Sequence, residues 1–467
     1  MQITSCLRLC ILATFSGMVL VLAAVADTSP AFVSGDRWAV LGDSITHTGS
    51  YHREIELFYL TRLSDPLSEV INCGAAGDTS VAALRRLDWD CLAARPTVVS
   101  VMLGMNDVPR DLYAPNKTGP EVEEKRAQRA ATFEKSMREI TRRLLASGAR
   151  VILIQPSIFD DTAKIEKPNL PGLGPALEEY AKKVREIAAE FRVATVDFSG
   201  PMTLINREQQ LRDPSFTITG PDRVHPGKPG HLVMAFLFLQ AQGAPGLVSS
   251  IAVDASAGRA GVLENATLSN LVVSPGNVSF TATEAALPFP VDAAAAPGLD
   301  LVPFTASLNR QLLSVSGLAP GIYRLAIDEQ PVRDFAAEAL TTGVNLAEEK
   351  NTPQMLQAIA VRAALDCKWD AVAKQRVIAY CESYAWPDAP RPFAAATMDA
   401  KVKARLAKVG KSNPWVADQH QLYFELKPRE AELPGLSAAA LAEARKLARP
   451  RPHRFTLTAV VAPAPNP

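Results

Sequence analysis

Between Arg37 and about Gln242, short apolar runs alternate with amphipathic stretches. The runs are WAVLGD (38–43), EVINCG (69–74), TVVSVMLG (97–104), RVILIQP (150–156) and VATVDF (193–198). Between them, apolar residues recur at helical spacing near 52–63, 79–93, 121–147, 173–191 and 229–241. Strands that are apolar along nearly their whole length, each followed by a helix, predict a parallel sheet covered on both faces. Right-handed crossovers make a three-layer α/β/α unit the economical topology, assigned here to residues 31–243.

The pattern changes after Gln242. QGAPGLVSS reads as a linker, and the residues beyond it are rich in Ala, Pro, Ser, Thr and Val. Alternation over 268–283 predicts two strands joined at Pro275-Gly276. A second hairpin fits 307–332, with Ala319-Pro320-Gly321 as its turn. From Thr352 to about Ala385 the spacing is helical, and Pro353 suits the first turn. Residues 244–460 are therefore expected to be an accessory region of β-hairpins and a long helix. The tail 461–467, APAPNP with its preceding Val, is expected to be disordered.

The N-terminus alters the expected compartment. Arg8, an apolar run from Leu9 to Ala23 and the small-x-small Ala24-Val25-Ala26 read as a signal peptide over 1–26, cleaved after Ala26. Thr14, Ser16 and Gly17 interrupt the run, which is short for a membrane span of about 20 residues. No Cys follows it to carry a lipid, so no stable membrane anchor is expected and the protein is placed outside the cell or in the periplasm. Basic and acidic residues balance at 49 each, which provides no field for binding nucleic acid. Cys73, Cys91, Cys367 and Cys381 remain after cleavage, too few for a disulfide framework and without metal-ligand spacing. Cys73 and Cys91 are a conceivable pair. Cys367 and Cys381 share the long helix, where a 1.5 Å rise per residue holds them about 21 Å apart.

Four short blocks carry the chemistry. Gly42-Asp43-Ser44-Ile45-Thr46 follows the first strand, at the carboxyl edge where open parallel sheets bind ligands. Asn72 to Ser80 (NCGAAGDTS) follows the second strand, and Gly77 there can adopt positive φ and present its N–H to an anion. Gly104-Met105-Asn106-Asp107 follows the third, with an amide able to donate to developing negative charge. Asp222-Arg223-Val224-His225-Pro226 precedes the last helix, and its carboxylate can fix the tautomer of the imidazole. Each block alone also fits a turn or a helix cap. Three at successive strand ends and a fourth in a turn are hard to ascribe to coincidence.

Together the blocks resemble the signatures of SGNH hydrolases, the GDSL-like lipases and esterases, over roughly residues 35–242. The resemblance implies a flavodoxin-like α/β/α fold and hydrolysis of carboxylic esters without metal or organic cofactor. Position by position, it puts the nucleophile on Ser44, the base on His225 and the orienting acid on Asp222. The oxyanion donors fall on the backbone of Ser44 and Gly77 and the side chain of Asn106. GDSI replaces the commoner GDSL, a conservative change. Asp43 is assigned to the turn, and Asp197 is a weaker alternative acid because it stands outside the D-x-x-H pair.

His47 and His52 are candidate substrate-lining residues, with Arg53 and Glu54 as weaker ones; His231, His420 and His453 read as packing or surface residues. With an export signal and a β-rich accessory region, the chain resembles in architecture bacterial esterases that deacetylate polysaccharides, which implies an acetyl ester on a carbohydrate, the partner being a small-molecule or polysaccharide ester. The polar stretches 47–54 and 107–119 suit an open, wet cleft. The competing readings are a lysophospholipase, arylesterase or thioesterase, and a glycan-binding or envelope scaffold whose catalytic unit has decayed.

Overall fold

The structure, a computed structural model, describes residues 32–63 and 67–460. The expected signal peptide and the tail 461–467 lie outside these residues. Five strands, β1 (Arg37–Gly42), β2 (Glu69–Gly74), β3 (Val98–Met102), β4 (Arg150–Gln155) and β5 (Ala194–Asp197), form a parallel sheet in the order β2-β1-β3-β4-β5. This is the flavodoxin-like order, and each strand lies within a residue or two of the run that predicted it. Gly42 pairs with both Gly74 and Met102, so three strand ends finish level at one edge. That edge presents the first three sequence blocks side by side.

Helices α1 (Ser44–His47), α2 (Ser50–Arg62), α3 (Ser80–Arg86), α4 (Pro120–Ala146), α5 (Leu173–Phe191), α6 (Ser199–Gln210) and α7 (Lys228–Ala241) complete this unit. The short α6 has no counterpart among the predicted segments. Residues 50–54, read as part of a polar loop, form the first turns of α2, with Tyr51, His52 and Glu54 buried.

The C-terminal half departs further from expectation. Strands β6 (Leu247–Asp254), β7 (Arg259–Glu264), β8 (Ala266–Ser274) and β9 (Asn277–Glu284) come first, and the presumed linker thus already contains the start of β6. After helix α8 (Phe304–Leu308) come β10 (Arg310–Ser316), β11 (Ile322–Ile327) and β12 (Gln330–Ala336). Helix α9 (Ala337–Thr342) and β13 (Val344–Asn345) lead into α10 (Pro353–Ala385), α11 (Ala395–Val409), α12 (Pro414–Leu426) and α13 (Leu433–Leu447), and β14 (Pro452–Ala459) follows. Two sheets, β13-β10-β6-β7 and β12-β11-β14-β9-β8, pack through a shared core containing Val253, Phe280, Leu313, Leu325 and Phe455.

The β8–β9 hairpin turns at Pro275-Gly276 as predicted. The second hairpin is a misreading: β10 pairs with β6 and β13, whereas β11 pairs with β12 and β14. Ala319-Pro320-Gly321 is a corner between sheets. The tight turn is Asp328-Glu329, both at positive φ (50° and 66°), as the right-handed twist of a two-residue hairpin favours.

Thr352 caps α10 by accepting from the Met355 N–H at 3.2 Å, and Pro353 occupies the first turn. This helix does not project from the sandwich; it runs back along the α/β unit. Arg362 forms a bidentate pair with Glu54 at 2.9 and 2.6 Å. Lys368 donates to both oxygens of Glu56 and to the Val70 carbonyl, and the Trp369 indole N–H reaches Glu56 at 2.8 Å. Arg376 grips the Gly74 carbonyl at 3.0 and 2.7 Å and pairs with Asp90 at 2.6 Å. A single apolar core joins Trp38, Phe58 and Phe238 of the α/β unit to Phe289, Phe304, Leu365 and Trp369 beyond it.

Candidate active site

The first block, which carries Ser44, turns sharply out of β1. Asp43 caps α1 by accepting from the Ile45 N–H at 3.0 Å, which fixes Ser44 at the first helical position. Burial pushes the Asp43 carboxyl up to about 7, against the opposing pull of that N–H and of His225. The second block folds tightly against this turn. A Cβ on Gly74 would lie 2.3 Å from the His47 nitrogen, so no larger residue fits. Gly77 sits at φ +80°, a conformation L-residues rarely adopt.

Two buried arginines tie these loops together. Arg86 donates to Asp78 at 2.6 Å, to the Cys73 carbonyl at 2.7 Å and to the Gly42 carbonyl at 3.1 Å, and it pairs with Asp90. Arg376 reaches Gly74 and Asp90 from α10. The third block is bonded in as well: Asp107 accepts from the Ser80 N–H and from its hydroxyl at 2.6 Å. The Asn106 amide donates to the Asp78 carbonyl at 3.1 Å and leaves its second N–H for another acceptor. Arg110 lies 3.4 Å from the Asn106 Oδ1, which sets the orientation of that amide.

Asp222 and His225 meet on a turn whose backbone is strained at one residue. Arg223 has φ +68°, and its buried guanidinium donates to the carbonyls of Asp160, Ala163 and Lys167 at 2.9–3.0 Å. Those bonds hold the left-handed residue in place. Asp222 Oδ1 accepts from the Val224 and His225 N–H groups at 3.0 and 2.9 Å, while Oδ2 stands 2.5 Å from the His225 Nδ1. Partial burial would raise the Asp222 pKa, but the bonds from His225 and Val224 outweigh it and hold the carboxyl well below the usual range. His225 Nε2 lies 2.7 Å from Ser44 Oγ. With its Nδ1 proton engaged by Asp222, the imidazole presents a lone pair to the hydroxyl, an arrangement able to activate an alcohol for acyl transfer.

Ser44, Asp222 and His225 thus come together across 181 residues of sequence, and Gly77 and Asn106 flank Asp78 beside them. Asp197 is engaged elsewhere, accepting from the Gly200 N–H. His52 is fully buried between Trp38, Tyr51 and Trp369 and does not line a cleft. Glu54 is likewise removed from any substrate by its pairing with Arg362. His47 is only partly buried, with its ring packed edge-on against Tyr380 and Trp415. Cys73 and Cys91 are buried free thiols, the former donating to the Asp90 carbonyl at 3.3 Å. Sequence reasoning missed Arg86, Arg223 and Arg376, because a buried arginine has no local signature apart from its distant partners. Among the described residues, no group of three or more His, Cys, Asp or Glu could hold a metal ion, and no helix is long and apolar enough to cross a membrane.

Residues 40–233 match the model of the GDSL-like lipase/acylhydrolase family. The solved structure of a gut microbial diltiazem-metabolizing enzyme is 30% identical, with a TM-score of 0.84 over 93% of this chain and 99% of that one. The chain belongs to the GDSL-like lipase/acylhydrolase family. An acetylxylan esterase of Geobacillus stearothermophilus is 26% identical over 222 residues, which are 44% of this chain and 94% of that enzyme. The GDSL-like match thus covers the α/β unit, while the similarity to the diltiazem-metabolizing enzyme extends through the sandwich and the C-terminal helices.

Proposed function

We propose that this chain is a serine esterase that removes short acyl groups, acetyl foremost, from a carbohydrate alcohol. The observation that carries the reading is the relay from Ser44 Oγ to His225 Nε2 at 2.7 Å and from His225 Nδ1 to Asp222 at 2.5 Å. Ser44 Oγ attacks the ester carbonyl as His225 takes its proton. The Ser44 and Gly77 N–H groups and the Asn106 amide stabilise the tetrahedral oxyanion. His225 returns the proton to the departing alcohol, and water then cleaves the acyl-enzyme by the same steps in reverse. Membership of the GDSL-like family and the likeness to an acetylxylan esterase support the substrate class. The apolar N-terminal segment ending at Ala26 supports export to the periplasm or medium.

A rate series on esters from acetate to laurate, run beside acetylated xylan, tests the acyl preference. The expected outcome is the highest kcat/KM at acetate together with acetate release from the polysaccharide. A lipid esterase would bury its substrate's methylenes at about 0.8 kcal/mol each, so specificity constants rising steadily with chain length would overturn the acetyl reading.

A further inference from the structure

The residues that match the family model end at 233, yet side chains from far beyond them stand against the candidate site. The Tyr384 hydroxyl, from the last turn of α10, donates to Asp78 at 3.1 Å. It also lies 3.2 Å from where a Cβ on Gly77 would be. The Tyr384 ring is 5.0 Å from that of Tyr380, which is in turn 5.3 Å from Trp415 on α12 and 5.8 Å from His47. His47 is one helical turn from Ser44. A continuous aromatic wall therefore runs from Gly77, past the helix that carries Ser44, to the surface.

The two ends of this wall differ in exposure. Tyr380 is buried and Tyr384 half-buried, whereas Trp415 is 43% exposed. Tyr380 and His47 pack edge-on with the indole at 5.3 and 6.3 Å, and part of it remains open to water. A partly exposed indole joined through aromatic neighbours to a polar site is suited to receiving a ring. The helix bearing Tyr380 and Tyr384 is fixed by the Arg362, Lys368 and Arg376 pairings, so that part of the wall is preorganised at low entropic cost.

We infer that α10 and α12 build the alcohol-side subsite of the ester site, with Trp415 as the platform on which a sugar ring of the substrate stacks and Tyr384 as its inner wall. This rests on the esterase reading above and names the part of the molecule that selects the alcohol. Stacking on Trp415 contributes to substrate binding, and the acyl-transfer steps at Ser44 do not depend on it.

The test compares the full chain with Trp415→Ala and Trp415→Phe on acetylated xylooligosaccharide and on methyl acetate, which has no ring. Thermal unfolding midpoints verify that both variants are folded. The expected result is a roughly three- to tenfold rise in KM for the oligosaccharide in Trp415→Ala with kcat little altered. Trp415→Phe should recover part of that loss, and the change with methyl acetate should be several-fold smaller. Equal losses on both esters, or no loss on the oligosaccharide, would overturn the subsite while leaving the esterase intact. A wild-type chain that releases acetate from neither ester would overturn the esterase reading and the subsite with it.

Discussion

The two sides of the catalytic face are held by different means. On the Ser44 side the supporting ion pairs are buried: Arg86 joins β1, β2 and Asp78, Arg376 reaches in from α10, and the half-buried Tyr384 adds a bond to Asp78. On the other side, the Asp222 and His225 side chains are 43% and 44% exposed, and their turn depends on one left-handed residue and the bonds of Arg223. The oxyanion donors proposed above would work best if they did not move, and a buried ionic lattice lies against their loops. A base that must pass a proton to a departing alcohol and then accept one from water needs solvent access, and the open turn provides it. In the proposed mechanism the buried side would set transition-state geometry and the open side would permit turnover.

Five changes would break or sharpen this contrast, from the largest effect to the smallest. Within the relay, His225→Ala should lower kcat by about 10⁶-fold and Asp222→Asn by about 10⁴-fold, since the imidazole transfers the proton while the carboxylate orients it. On the buried side, Asn106→Ala should cost about 10²–10³ in kcat with a smaller change in KM. Steady-state kinetics on an acetate ester measures all three. Activity of Asp222→Asn equal to wild type would show that another group orients His225, and a change confined to KM in Asn106→Ala would make that amide a substrate-binding residue.

Arg223→Ala addresses the open side alone. It removes several bonds from a buried guanidinium and should destabilise the fold by about 1.5–3 kcal/mol in a urea titration. It should also lower kcat under conditions where the protein remains folded, because the turn that brings Asp222 to His225 relaxes. Loss of stability with full activity would show that the turn holds itself.

The smallest effect concerns pH. Asp43 titrates near 7 in the folded chain against an ordinary value of 3.8, with burial as the chief cause. The folded chain thus retains a proton that the unfolded chain releases, and the stability this gives below the ordinary value is lost as pH rises through about 7. Asp43→Asn, which keeps an acceptor for the Ile45 N–H, should gain stability relative to wild type as pH goes from about 4 to 7. Thermal unfolding across that range measures it. A difference independent of pH would mean that Asp43 is charged in the folded chain.

Much of the α/β unit was legible in the sequence because its signals are local. A buried parallel strand is apolar along its whole length, and Ser44, Gly77, Asn106 and His225 occur in short blocks at strand ends or in a turn. The misreadings came from interactions between residues far apart in the sequence. His52 and Glu54 looked like polar loop residues because Trp369 and Arg362, which enclose them, lie more than 300 positions away. Pro320-Gly321 has the composition of a hairpin turn, yet β10 and β11 enter different sheets because β6 and β14 compete as partners. Helices α11 to α13 were not anticipated, since the pattern beyond Ala385 gave no reading of its own. The chemistry was written in contiguous motifs, while the support for it was distributed over the chain.

The central claim is that Ser44 is a nucleophile activated by His225. Its most direct test is treatment of the full chain with a serine-directed phosphonate, followed by peptide mass spectrometry at near-neutral pH. The account expects one adduct, on Ser44, formed in step with loss of esterase activity and absent from Ser44→Ala. An adduct on another residue, or full activity in Ser44→Ala, would contradict it.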